Sequence, residues 1–159
     1  FGTLIGLLKD GKPVLGVMDM PALKERWAGA VDLPTTFNGD AVKVRACGNV
    51  AKAWLYATSP HMFGDADFPA FEKLRKASWR AVYGAECMAY GLLANGLVDI
   101  VCEGTMDLHD YAPMVPIIEG AGGVITDWRG EALGMDGDGT VLAAGDAAVH
   151  AEALALLAR

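Results

Sequence analysis

Positive charge, long apolar runs and paired cysteines are all scarce in this sequence, and each scarcity excludes something. The 159 residues carry 13 Lys and Arg against 20 Asp and Glu, a formal net charge of −7. Nucleic acids and anionic membrane surfaces require a clustered positive field, so no nucleic-acid and no membrane partner is expected. Apolar runs are broken by Gly, Asp or Pro well before the ~20 residues that a bilayer demands. Cys47, Cys87 and Cys102 are odd in number and show neither a paired spacing nor a Cys/His ligand pattern. They read as small buried hydrophobes in a reducing, cytoplasmic compartment. The nucleotide-binding glycine loops and the Gly-x-Ser-x-Gly turn of serine hydrolases are absent. His61, His109 and His150 have no mutual metal spacing; His109 borders a candidate site, and the other two read as surface residues. Asp136-Gly137-Asp138-Gly139 lacks the closing Glu of a calcium loop and reads as a turn.

Apolar residues and glycine are plentiful. Hydrophobic residues make up 53% of the chain, with 20 glycines between short apolar runs. The mean hydropathy is +0.28. No repeat, low-complexity tract or linker interrupts the pattern, so one compact unit is expected. The chain opens at Phe1 inside an apolar run, and it is read as the rear portion of something longer.

Residues 1–8 and 14–20 read as two strands joined by the turn Lys9-Asp10-Gly11-Lys12, with Glu25-Arg26-Trp27-Ala28 a short third strand. Residues 34–39 read as a loop. Residues 54–58 form an apolar run, and Asp67 is placed to cap a helix carrying Phe71 and Leu74. A helix is expected over 84–94, closed by Asn95-Gly96, followed by a buried strand over 97–102. A third helix is expected over 110–119, then strands over 124–128 and 140–144, and a last helix capped by Asp146 with Val149, Ala153, Leu154 and Leu157 inward. Trp27, Trp54, Trp79 and Trp128 read as core or interface packing. Strands and helices mix without a regular βαβ alternation, which points to a layered α+β fold.

Chemistry concentrates where the strand ending at Glu103 hands over, through Gly104, Asp107 and His109, to Asp110. A carboxylate heading a helix is kept ionised by the exposed N–H groups, and the same partial positive charge welcomes a phosphate. Asp110 therefore reads either as an ordinary N-cap or as the ligand of a divalent cation beside a phosphate. Glu103 reads either as an acceptor for a substrate hydroxyl or amine, or as a solvated strand-end carboxylate. Glu86, among Ala, Cys, Met and Leu, either lines a pocket or sits in a helix N-terminal field.

The run Glu103…Asp110-Tyr111-Ala112…Glu119-Gly120-Ala121-Gly122-Gly123-Val124 resembles the C-terminal signature of the inositol monophosphatase superfamily. The segments 16–21, 34–39, 58–63 and 84–93 resemble its histidinol-phosphatase-type branch. The resemblance implies a layered αβαβα sugar-phosphatase-like fold of which residues 1–159 are the C-terminal part, the N-terminal metal-binding part being absent. It implies a Mg²⁺-dependent phosphomonoesterase, homodimeric, acting on a small phosphate ester, with histidinol phosphate as substrate or, alternatively, an inositol or other sugar phosphate. It assigns Asp110 to the metal and Glu103, Glu86, Gly84 and Ala85 to the substrate. A carboxylate at Glu86 suits an amino-alcohol phosphate, because a buried cation needs a partner. The family's first metal-binding Glu and its Asp-Pro-x-Asp-Gly-Thr motif fall before the strand that opens this chain. The isolated chain is accordingly expected to be inactive, or to serve folding or subunit contact alone. The family's Trp before the metal Asp is His109 here, and Pro116 is expected to bend the helix that follows.

Overall fold

The computed structural model describes residues 1–158. Tight turns between short apolar strands fold the front of the chain into an antiparallel meander. Its members are β1 (Thr3–Lys9), β2 (Lys12–Met20), β3 (Glu25–Ala30), β4 (Leu33–Phe37) and β5 (Asp40–Ala41), adjacent in sequence order. Asp10 and Gly11, with φ of 51° and 76°, turn β1 into β2 in the left-handed conformation that two-residue hairpins favour. Most of the loop expected over 34–39 is strand β4. Thr35 there is fully buried and donates its hydroxyl to the Ile117 carbonyl at 2.6 Å, an anchor 82 residues away that local propensity does not reveal.

The rear sheet contains β6 (Trp54–Ala57), β7 (Arg80–Tyr83), β8 (Ile100–Glu103), β9 (Val124–Thr126) and β10 (Val141–Ala144) in the order β7-β6-β8-β10-β9. Strand β6 runs parallel to β7 and β8, while β10 is antiparallel to β8 and β9. Helices α1 (Phe68–Ala77), α2 (Met88–Ala94), α3 (Leu108–Tyr111), α4 (Met114–Gly120) and α5 (Ala147–Leu157) complete the chain. Between the sheets, α2 and α4 bury Tyr90, Leu93, Ile117 and Ile118 against Met18 and Trp27 in front and Val101 and Val141 behind. Behind the rear sheet, Phe71 and Leu74 of α1 and Val149, Ala153 and Leu157 of α5 cover Leu55, Ile100 and Leu142. The result is a β-α-β-α stack, the expected layered α+β class. Gly16 and Gly29 permit the closest approach in it: a Cβ would lie 1.9 Å from the Pro113 oxygen or 2.4 Å from that of Pro116. On the outer face of the front sheet, Ile5, Leu7, Leu15 and Leu33 are exposed.

Several expectations are corrected. The single helix over 110–119 is two, α3 and α4, because Pro113 lacks an N–H and cannot continue the first; the break falls there rather than as a bend at Pro116. The helix over 84–94 starts only at Met88, since Gly84 and Glu86 hold φ of 83° and 50°. Edge strand β7, short and half-exposed, gave no sequence signal. His150 is buried at 5% exposure, with Nε2 3.0 Å from Thr126 Oγ1, and burial draws its pKa below the usual range. Trp79 is exposed, and Cys47 and Cys87 are half-buried, so only Cys102 is the buried hydrophobe expected of all three. The Asp146 cap stands, its carboxylate accepting from the Val149 N–H at 2.9 Å. No helix among the described residues is long and apolar enough to cross a membrane.

Candidate active site

Strand β8 ends at Glu103 with its carboxyl group inside the protein, at 2% exposure. The parallel neighbour β6 ends one residue before Thr58, which brings two neutral donors to that group. The Thr58 N–H lies 3.1 Å from each carboxylate oxygen and the Thr58 hydroxyl 3.0 Å from Oε1. A solvated strand-end carboxylate is thereby excluded. Burial lifts the Glu103 pKa to about 7; the two Thr58 hydrogen bonds pull it down, and the charge of Glu86 adds to the rise.

Beyond Glu103 the chain turns through Gly104 and Thr105, whose hydroxyl donates to the Met62 carbonyl at 2.9 Å. Asp107, not Asp110, then takes the N-cap position of α3. Asp110 stands three residues on, and its Oδ2 accepts the Asp107 N–H at 3.0 Å in a capping box. The expected N-cap role of Asp110 is corrected by this one-turn shift, which commits Oδ2 to the capping box and leaves Oδ1 outside it. Asp110 Oδ1 is 3.6 Å from His109 Nε2, and one ligand atom from each of Asp107, His109 and Asp110 falls within 4.8 Å of the others.

Glu86 sits in the turn before α2, not in the helix, and its exposed carboxylate reaches the same cavity. That cavity, about 190 Å³, gathers Glu86, Glu103 and Asp110. Gly84 and Ala85 lead into the turn without lining it; the Gly84 N–H donates to the Thr58 carbonyl at 3.0 Å, tying the turn to the Glu103 anchor. The rest of the lining is largely soft and apolar, with Met62, Cys87, Met106 and Met114. Among the described lining residues there is no Lys, Arg or His. Three converging carboxylates, of which only Asp110 has a basic neighbour, the exposed His109 outside the lining, form an attractor for cations, both hard divalent ions and ammonium groups.

Sequence reading named the three acids, placed Asp107 between them without a role, and missed the part played by Thr58 and by the sulfur-bearing residues. The Asp-x-x-Asp spacing over 107–110 carried a capping-box signal. Thr58 carried none, because its role exists only once β6 is paired with β8.

A sequence profile of the inositol monophosphatase family matches residues 1–159. The chain is 44% identical to the chloroplastic bifunctional phosphatase IMPL2 of Arabidopsis thaliana, across 97% of this chain and 46% of that protein. It is 28% identical to a histidinol-phosphatase of Chlorobaculum parvum, across 90% of this chain and 56% of that protein. A solved inositol monophosphatase from Zymomonas mobilis superposes with a TM-score of 0.97 at 42% identity, covering 99% of this chain and 62% of the other. The chain thus spans about half the length of the curated relatives it matches.

Proposed function

This chain belongs to the inositol monophosphatase family, and on that premise we propose that the protein hydrolyses a small phosphate monoester, L-histidinol phosphate. The observation that carries this reading is the convergence of Glu86, Glu103 and Asp110 on a cavity lined by no basic residue. A phosphate enters such a site only with a cation. The donor set suits Mg²⁺, which binds through one or two carboxylates and keeps water and phosphate oxygens for the rest of its shell. When bound, the ion supplies Lewis-acid stabilisation of phosphate oxygens and a more acidic water.

The chain's own groups have separable tasks. Asp110 would hold the ion through one carboxylate oxygen, the other being fixed by the Asp107 N–H. Glu103, held by Thr58 and with a pKa of about 7, exchanges its proton near neutrality and is driven to its ionised form by an arriving ammonium group. Glu86, at the cavity mouth, adds a second negative charge toward that end of the alcohol. The methionine wall favours a substrate with an apolar or aromatic body, because a cyclitol would turn hydroxyl groups against thioethers that replace water poorly. Inositol phosphate is the second reading, favoured by the 42% identity to the Zymomonas mobilis enzyme named for it.

On the same reading, residues 1–159 are the C-terminal part of a larger, homodimeric domain whose remainder covers the apolar outer face of the front sheet. Three free thiols suit a reducing compartment such as the cytoplasm.

The test is steady-state hydrolysis of L-histidinol phosphate and myo-inositol 1-phosphate by the protein expressed from its complete coding sequence. Glu86→Gln is expected to lower kcat/KM for the cationic ester about tenfold more than for inositol phosphate. Asp110→Asn is expected to raise the Mg²⁺ requirement for both. Equal losses in Glu86→Gln contradict selection by charge, and an unchanged Mg²⁺ requirement in Asp110→Asn contradicts its role as ligand.

A further inference from the structure

Tyr90 is 1% exposed, and its hydroxyl donates to a single partner, Met106 Sδ, at 3.5 Å. A thioether is a weak acceptor, and a buried phenol ordinarily finds oxygen or nitrogen. Both side chains line the cavity that Glu103 and Asp110 share. The other hydroxyl groups there are committed, Thr58 to Glu103 and Thr105 to the Met62 carbonyl. Tyr90 is therefore the strong side-chain donor that the cavity leaves without an oxygen or nitrogen acceptor. Burial, followed by the charges of Glu103, Cys102 and Asp110, holds its proton far above the usual phenol range, so it remains a donor at any working pH.

We propose that Tyr90 is a specificity-determining residue whose hydroxyl donates to a ring nitrogen of the substrate's alcohol half, with the Met106 and Met114 thioethers against the ring face. The proposal rests on the phosphatase reading and assigns to Tyr90 the recognition of an aromatic nitrogen heterocycle in the alcohol half of its substrate. Three properties of the wall agree with a ring. Thioether sulfur contacts aromatic rings favourably, at about 5 Å. An unprotonated ring nitrogen offers an in-plane lone pair, which a buried O–H can take in place of sulfur. The carboxylates of Glu86, Glu103 and Asp110 in the same cavity give the amine a separate destination, so the two ends of such a molecule are read by different groups.

The experiment uses the protein expressed from its complete coding sequence and two probes, L-histidinol and L-alaninol, the second an amino alcohol without the ring. Calorimetric titration of Tyr90→Phe, which keeps the aromatic packing, is expected to show about tenfold weaker binding of L-histidinol and unchanged L-alaninol. In the unsubstituted protein labelled at tyrosine Cζ, one resonance is expected to move on addition of L-histidinol and not of L-alaninol, a readout independent of how the variants fold. Tyr90→Phe with unaltered L-histidinol affinity, equal loss for both probes, or an unmoved tyrosine resonance overturns the assignment. The phosphatase reading fails separately, by absence of Mg²⁺-dependent phosphate release from any ester offered.

Discussion

Asp99 and Glu103 stand at opposite ends of strand β8, equally buried at 2% exposure, and the protein treats them in opposite ways. Asp99 receives Arg45 in a two-point pair, 2.7 Å from Nε to Oδ1 and 2.9 Å from Nη2 to Oδ2, together with the Trp54 N–H at 2.8 Å. Glu103 receives only neutral donors, all from Thr58. The same neighbouring strand β6 thus ties down both ends, with a cation at one and none at the other. A buried carboxylate matched by a guanidinium has its electrostatic demand met and acts as a clamp, here on the segment that crosses between the sheets. One held by neutral donors keeps that demand, and a ligand can meet it.

The contrast breaks most visibly at Arg45. Arg45→Met strands the Asp99 charge in the interior and is expected to cost about 3 kcal/mol in urea unfolding, Arg45's partial exposure keeping it at the low end for buried pairs. Thr58→Val, at the other end, is expected to cost about half as much; a larger loss there than at Arg45 contradicts the distinction. Next in size, Glu103→Gln is expected to leave stability within about 1 kcal/mol below the ordinary carboxylate pKa, where Glu103 is protonated, while lowering kcat/KM for the amino-alcohol ester about a hundredfold near neutrality.

A smaller effect sharpens the comparison through pH. Because the folded Glu103 pKa lies above its ordinary value of 4.5, at about 7, the folded state holds that proton more tightly than the unfolded chain. Its stabilising contribution is complete below the lower value and is lost as pH rises through the upper one. Metal-free protein is therefore expected to lose on the order of 1–2 kcal/mol relative to Glu103→Gln between those limits. The oppositely signed contribution of His150, whose pKa is depressed by burial, is common to both proteins and cancels in the difference. An equal pH slope in the two proteins removes Glu103 as its source. Smallest is the cap beside the site: Asp107→Ala is expected to cost about 1 kcal/mol and to loosen Asp110, seen as weaker Mg²⁺ binding by titration.

What the sequence made legible was local. The Asp10-Gly11 hairpin, the Asn95-Gly96 helix stop and the Asp146 cap each depend on residues within a few positions of one another. What escaped it depends on pairing at long range. Strand β4 is extended because Thr35 reaches α4, and Glu103 is buried because Thr58, 45 residues earlier, lies in register beside it. The three acids of the site were readable as chemistry in Glu86, Glu103 and Asp110. Their convergence was not, because Glu86 reaches the cavity from a left-handed turn and Asp110 from the third position of a capped helix rather than its first. Tyr90 and the methionines were hidden for a plainer reason, since apolar residues on a helix face look the same whether they fill a core or line a pocket.

The most direct test of the central claim, that the Glu103 end of β8 is kept free of a protein cation so that a ligand can bring one, is proton linkage in calorimetry. L-Histidinol is titrated near pH 7 in buffers of different ionisation enthalpy, with the unsubstituted protein and with Glu103→Gln. Binding of an ammonium group beside Glu103 is expected to release about half a proton more from the unsubstituted protein than from the variant. Identical proton counts, with binding intact in both, would contradict it and return Glu103 to the same structural role as Asp99.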